Sequence, residues 1–112
     1  MTCDYRLKKE KDFNLIFNKG KRLYSTNLTV IYLPSNSIKA GYAVSKKHGG
    51  SVERNRIKRL LRESFRSFIP QIGQNFFFVF IPKQSESYSL QTFKDNMNYL
   101  FKKGGIIKWW SF

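Results

Sequence analysis

The chain has 112 residues, enough for one domain around one modest core. Its 21 Lys and Arg against 7 Asp and Glu leave a net charge of +14, which favours a polyanionic partner: nucleic acid or an anionic membrane surface. No apolar run approaches a bilayer span, residues 1–6 lack an apolar signal core, and the lone Cys3 excludes an internal disulfide or a cysteine-cluster zinc site, so the expected location is the cytoplasm.

Residues 1–8 read as a loose basic arm, the rest of the chain as one domain, and 105–112 as an aromatic tail. The spacing of Phe13, Ile16 and Phe17 predicts a helix over 9–18, stopped by Gly20. Lys19, Lys21 and Arg22 follow as a basic loop. Residues 27–33 predict a strand, with Leu28, Val30 and Tyr32 on one face and Thr29, Ile31 and Leu33 on the other. A turn at 34–37 leads to a second strand, 39–45, expected to run antiparallel to the first because the connection is short.

From Ser45 the chain reads as a strand end, a glycine loop at Gly49-Gly50, and a basic helix closed by Pro70. Ser51 is the expected cap, with Glu53 in the first turn where negative charge is favoured. On a helical wheel Ile57, Leu60, Leu61, Phe65 and Phe68 share one arc. Arg54, Asn55, Lys58, Arg59, Arg62 and Arg66 share another. A solvated helix face normally mixes charge signs at i, i+4. This one is almost wholly positive, and like charges at that spacing repel unless an external polyanion neutralises them.

Residues 75–81 form the most apolar stretch, expected to be a central strand covered on both faces. A helix over 89–103 follows, with Leu90, Phe93, Met97, Leu100 and Phe101 as its stripe and Gly104-Gly105 as its stop. The order α-β-β-α-β-α predicts an α+β sandwich with one mixed sheet and a β-α-β crossover. Chain chirality alone would make that crossover right-handed.

Protein-based catalysis finds little support in the residues. The acids Asp4, Glu10, Asp12, Glu53, Glu63, Glu86 and Asp95 are scattered, with no close pair on a strand to converge on magnesium. The single histidine, His48, lacks a second histidine for acid–base work and reads as structural or phosphate-facing. Cys3 has no histidine base near it in sequence. RNA binding fits better. Lys46, Lys47, the glycine loop and the basic helix can hold phosphates through ammonium groups, backbone amides and guanidinium forks. Phe13 and Phe17 on the first helix, and Tyr32 on the first strand, are either core or platforms for unpaired bases.

Ser45-Lys46-Lys47 followed by Arg54-Asn55-Arg56-Ile57-Lys58-Arg59-Leu60-Leu61-Arg62 resembles the signature of the protein subunit of bacterial ribonuclease P. Lys11-Asp12-Phe13, Phe17, the strand 28–33 and Ala40-Gly41-Tyr42-Ala43-Val44 lie in that family's order, so the resemblance spans about residues 5–103. It implies a ribosomal S5 domain 2-like fold with a left-handed crossover. It implies an endoribonuclease ribonucleoprotein that removes the 5′ leader of precursor tRNA, with the chemistry and the Mg2+ on the RNA subunit. Under it, Arg54, Asn55, Arg56, Lys58, Arg59 and Arg62 contact ribonuclease P RNA. Phe13, Phe17, Tyr32, Lys46 and Lys47 hold the leader, and the protein is monomeric in the holoenzyme. A ribosomal protein or RNA chaperone of similar fold would explain the charge but not the combined motif. Trp109, Trp110 and Phe112 depart from the family pattern and receive no role.

Overall fold

The computed structural model describes residues 5–85 and 87–107. Three helices and four strands follow in the order α1 (Glu10–Lys19), β1 (Lys21–Tyr24), β2 (Leu28–Pro34), β3 (Lys39–Tyr42), α2 (Ser51–Phe68), β4 (Phe76–Pro82) and α3 (Leu90–Lys103). Short 3-10 turns at Lys46–His48 and Ile69–Gln71 flank α2. The strands make one mixed sheet in the order β1-β2-β4-β3. β4 pairs antiparallel with β2 and parallel with β3, so β3-α2-β4 is a parallel crossover unit.

Two expectations are corrected here. The stretch read as a basic loop holds β1, which pairs antiparallel with β2 from Lys21 opposite Tyr32 to Tyr24 opposite Thr29. Three of its four residues are exposed, so only Leu23 carries an inward signal. β2 and β3 do run in opposite directions, but they are not partners. β4 lies between them, because its all-apolar sequence gains most from burial on both faces and both edges.

Alternation along the strands sorts their side chains into two layers. The larger core lies under α2 and α3. It joins Leu28, Val30 and Tyr32 of β2 and Phe76, Phe78 and Phe80 of β4 to Ile57, Leu61 and Phe65 of α2 and Phe93, Met97 and Phe101 of α3. The rings of Phe65, Phe78, Phe80 and Phe101 meet with centroids 5.3–6.4 Å apart, mostly tilted or edge-on. The smaller cluster lies under α1: Leu7, Ile16, Ile31 and Val79, bordered by half-buried Phe13, Phe17, Leu33, Ala43, Phe77 and Ile81.

The helix ends follow their local chemistry. Gly20 closes α1 with its N–H donating to the Ile16 carbonyl at 2.8 Å, and Gly104 closes α3 on Leu100 at 2.9 Å. Ser89 caps α3 by accepting from the Thr92 N–H. Ser51 is not the cap of α2. It is the first helical residue, and Gly50 precedes it with no side chain to offer. Glu53 stands in the first turn as expected. Residues 5–7, read as a loose arm, lie along β3: the Leu7 N–H donates to the Ala40 carbonyl at 2.9 Å and the Ala40 N–H to the Tyr5 carbonyl at 2.7 Å. Leu7 is buried. At the other end Ile106 and Ile107 join the larger core; Trp109, Trp110 and Phe112 lie outside the described residues.

Candidate nucleic-acid interface

The basic side chains of α2 divide by helical phase. Arg54, Lys58, Arg62 and Arg66 repeat every four residues and form one row beside the buried stripe of Ile57, Leu61 and Phe65. Asn55 and Arg59 stand further out, exposed. Arg56 falls on the opposite flank. There its guanidinium reaches Glu53 at 3.2 Å and donates to the Tyr88 carbonyl at 3.2 Å, tying α2 to the segment before α3. Of the six residues assigned to the RNA subunit, five face one way and Arg56 is engaged within the fold.

Arg62 and Arg66, with Lys58, wall a cavity of about 410 Å3 at the β3 edge. Its other walls are Tyr5, Arg6 and Leu7 of the docked arm, Ala40, Gly41 and Tyr42 of β3, Phe65 and Phe13. No carboxylate is among these lining residues. Burial pushes the Tyr42 hydroxyl up to about 12, against the pull of the Arg62, Arg66 and Arg6 guanidiniums, which favour the phenolate. The cavity therefore keeps a neutral phenol among cations. It also wraps the sheet edge, since Phe13 belongs to the α1 side and Arg62 to the α2 side.

The α1 side is apolar and only partly covered. The Phe13 ring abuts β3 where residue 41 is glycine; any Cβ at Gly41 would collide with it. Phe17 packs at the margin of the small cluster under the Arg22 guanidinium, 6.0 Å from the ring centroid. Phe77 and Ile81 of β4 share this half-buried margin. The expectation that 75–81 is a central strand covered on both faces holds, with the cover on the α1 side only partial at Phe77 and Ile81. Strand alternation carried the signal, because Phe77 must face away from Phe76 and Phe78.

Tyr32 does not join Phe13 and Phe17. It points into the larger core, 9% exposed, with its ring edge-on to Phe76 at 5.6 Å. Period-2 alternation puts residue 32 on the face opposite Ile31, and α1 covers the Ile31 face. Lys46 and Lys47 are exposed on the turn between β3 and α2 and do not line the cavity. His48 is buried. Its Nδ1 accepts from the Ser45 N–H at 3.0 Å, so Nε2 carries the proton and donates to the Pro82 carbonyl at 2.7 Å. That bond locks the turn to the end of β4 and leaves His48 a structural residue. Gly49, at φ 124°, supplies the positive φ the turn needs before α2. Buried within the first turn, Arg54 Nε is a nitrogen with no hydrogen-bond partner among the described residues.

Among the described residues no three of His, Cys, Asp and Glu gather to hold a metal, and no helix is long and apolar enough to cross a membrane. The described residues bring no set of carboxylates together that would fit a protein-held Mg2+. A row of cations on α2, a neutral phenol at the β3 edge and half-buried rings on the α1 side are the chemistry of a nucleic-acid-binding protein.

The Ribonuclease P family profile matches residues 1–105, and this chain belongs to that family. A "Ribonuclease P protein component" from Clostridium kluyveri is 40% identical over 110 residues, covering 93% of this chain and 97% of the relative. The solved Staphylococcus aureus RNase P protein superposes with a TM-score of 0.82 at 26% identity, over 95% of this chain and 100% of that one. The RNase P protein from Thermotoga maritima gives 0.77 at 30% identity, over 88% and 96%. The molecule is thus the protein subunit of a ribonucleoprotein endoribonuclease whose chemistry lies on the RNA subunit. The ribosomal-protein or chaperone alternative is not favoured.

Proposed function

We propose that this chain holds the 5′ leader of precursor tRNA on the α1 side of its sheet and the ribonuclease P RNA on the outward row of α2. The observation that carries this is the shared cavity: Phe13 and Arg62 line one space that turns around the β3 edge. A strand of RNA following it meets aromatic surface on one side and guanidiniums on the other. Phe13, Phe17 and Phe77 offer sequence-tolerant stacking. Arg54, Lys58, Arg59 and Arg62 neutralise phosphates, Asn55 donates its amide, and Arg66 extends the row. The unsatisfied Arg54 Nε marks a donor that loses solvation in the free protein and gains a partner if phosphate draws the side chain outward.

Lys46 and Lys47 supply charge at the α2 start rather than in the cavity. Tyr32 is removed from the leader set because its ring is enclosed under α2. Arg56 acts chiefly by fixing α2 to the Tyr88 carbonyl. The protein works in the cytoplasm as one copy per RNA, and Mg2+ is held by RNA oxygens. By covering phosphates near the leader, the protein lowers the magnesium needed for substrate binding.

The test is cleavage of a precursor tRNA by the purified protein with ribonuclease P RNA at low magnesium. Cleavage should require both macromolecules. Cleavage by the protein alone would overturn the assignment.

A further inference from the structure

Among the described residues only Leu15, Tyr24, Val52 and Tyr99 are large hydrophobics left exposed. Tyr24 and Tyr99 belong to one groove, which the cavity at the β3 edge does not include. It lies between the β1–β2 turn and α3, has a volume of about 340 Å3, and is lined by Tyr24, Ser25, Thr26, Asp95, Asn96 and Tyr99. Tyr24 is 56% exposed and Tyr99 49%. The sheet order puts β1 at the edge opposite β3, so this groove is remote from the α2 row.

The groove is built rigidly. Asn96 Oδ1 accepts from the Ser25 hydroxyl at 2.5 Å and from the Asn27 N–H at 3.1 Å, and Asn96 Nδ2 donates to the Thr92 carbonyl at 2.8 Å. The turn and the helix are thereby held at a fixed separation. One cation stands at the rim. Lys103 Nζ stands 5.6 Å over the Tyr99 ring, and Leu23 of β1 abuts Gly104 at the end of α3. Asp95 accepts from the Gln91 amide at 2.8 Å and has a second oxygen to receive a base N–H.

We propose that this groove is a further RNA-contact site, which takes an unpaired nucleotide with its base against Tyr24 and Tyr99 and its phosphate at Lys103. Charge complementarity selects the occupant. Two half-exposed phenols, with the Lys103 ammonium over one of them, suit a stacked base with an attached phosphate. It lets an RNA strand that occupies the β3 edge, or a separate one, be gripped at the opposite edge of the sheet.

The probe is a single-stranded RNA 12-mer carrying 4-thiouridine, added to the holoenzyme assembled with ribonuclease P RNA and then irradiated. Cross-links are expected on peptides containing Tyr24 or Tyr99. The Tyr24→Ala/Tyr99→Ala double variant should lose those cross-links and bind the 12-mer at least fivefold more weakly. Tyr99→Phe should retain both, because it keeps the ring. Melting of each variant reports folding, and assembly with ribonuclease P RNA and the affinity gap between leader-bearing and leaderless precursor should be unchanged. That separates this site from the leader site. No cross-link at either tyrosine, or unchanged affinity in a folded double variant, overturns the proposal, including the case in which the groove serves a protein partner instead.

Discussion

Phe77 and Phe78 are neighbours on β4 and point to opposite faces of the sheet. Phe78 is fully buried among Phe65, Phe80 and Phe101, where two helices cover it. Phe77 stays half-buried at the margin of the smaller cluster, with one ten-residue helix crossing its face. The same residue type therefore does two jobs. Under α2 and α3 it supplies the apolar burial that stabilises the fold. Under α1 it leaves ring surface that RNA can cover.

The comparison breaks most visibly in the core. Phe78→Ala should cost about 3–5 kcal/mol of stability, lowering the melting midpoint by roughly 15 °C or more. Calorimetry or circular dichroism checks this, and a loss below about 1 kcal/mol would mean the α2–α3 layer is not the main core. Tyr32→Ala belongs to the same class, with an expected loss of about 3 kcal/mol and little change in leader discrimination.

A smaller effect separates the two flanks of α2. Arg62→Ala should flatten the salt dependence of assembly with ribonuclease P RNA by about one unit of log-log slope while melting barely moves. Arg56→Ala should do the reverse. Loss of its bond to the Tyr88 carbonyl and of the exposed Glu53 pair should cost about 1 kcal/mol of stability with a smaller change in slope. Equal slopes for the two variants would remove the distinction between flanks.

The smallest effect appears only in alkali. Tyr42 has its folded-state value raised to about 12 by burial, above the ordinary 10 of an exposed phenol. The stability it contributes is fully present below pH 10 and is lost as the pH rises toward 12. Tyr42→Phe should flatten that part of the pH–stability curve. A tyrosinate absorbance change in which all tyrosines titrate together near pH 10 would contradict the burial.

Much of this division was legible from residue periodicity. The wheel of α2 separated the apolar stripe from the basic row and left Arg56 off both, and alternation along 27–33 already set Tyr32 opposite Ile31. What periodicity does not carry is which face a distant helix covers, so the family resemblance grouped Tyr32 with Phe13 and Phe17, and the structure puts its ring in the other cluster. β1 was invisible because an edge strand of four residues with one inward side chain has no pattern to count. The β2–β3 pairing failed for a different reason. A connection of four residues permits either adjacency or a gap one strand wide, and the later apolar strand took the gap. The docking of residues 5–7 on β3 was equally hidden, since backbone hydrogen bonds along an open strand edge leave no mark on composition.

The central claim is that the half-covered α1 face reads the leader and the α2–α3 face does not. Its most direct test is the affinity of the reconstituted holoenzyme for precursor tRNA with and without the leader, measured for wild type, Phe17→Ala and Tyr32→Ala at a temperature where all three are folded. The account predicts that Phe17→Ala narrows the gap between the two substrates by about 1–3 kcal/mol and that Tyr32→Ala leaves it unchanged. A gap that closes for Tyr32→Ala, or that persists in full for Phe17→Ala, would contradict it.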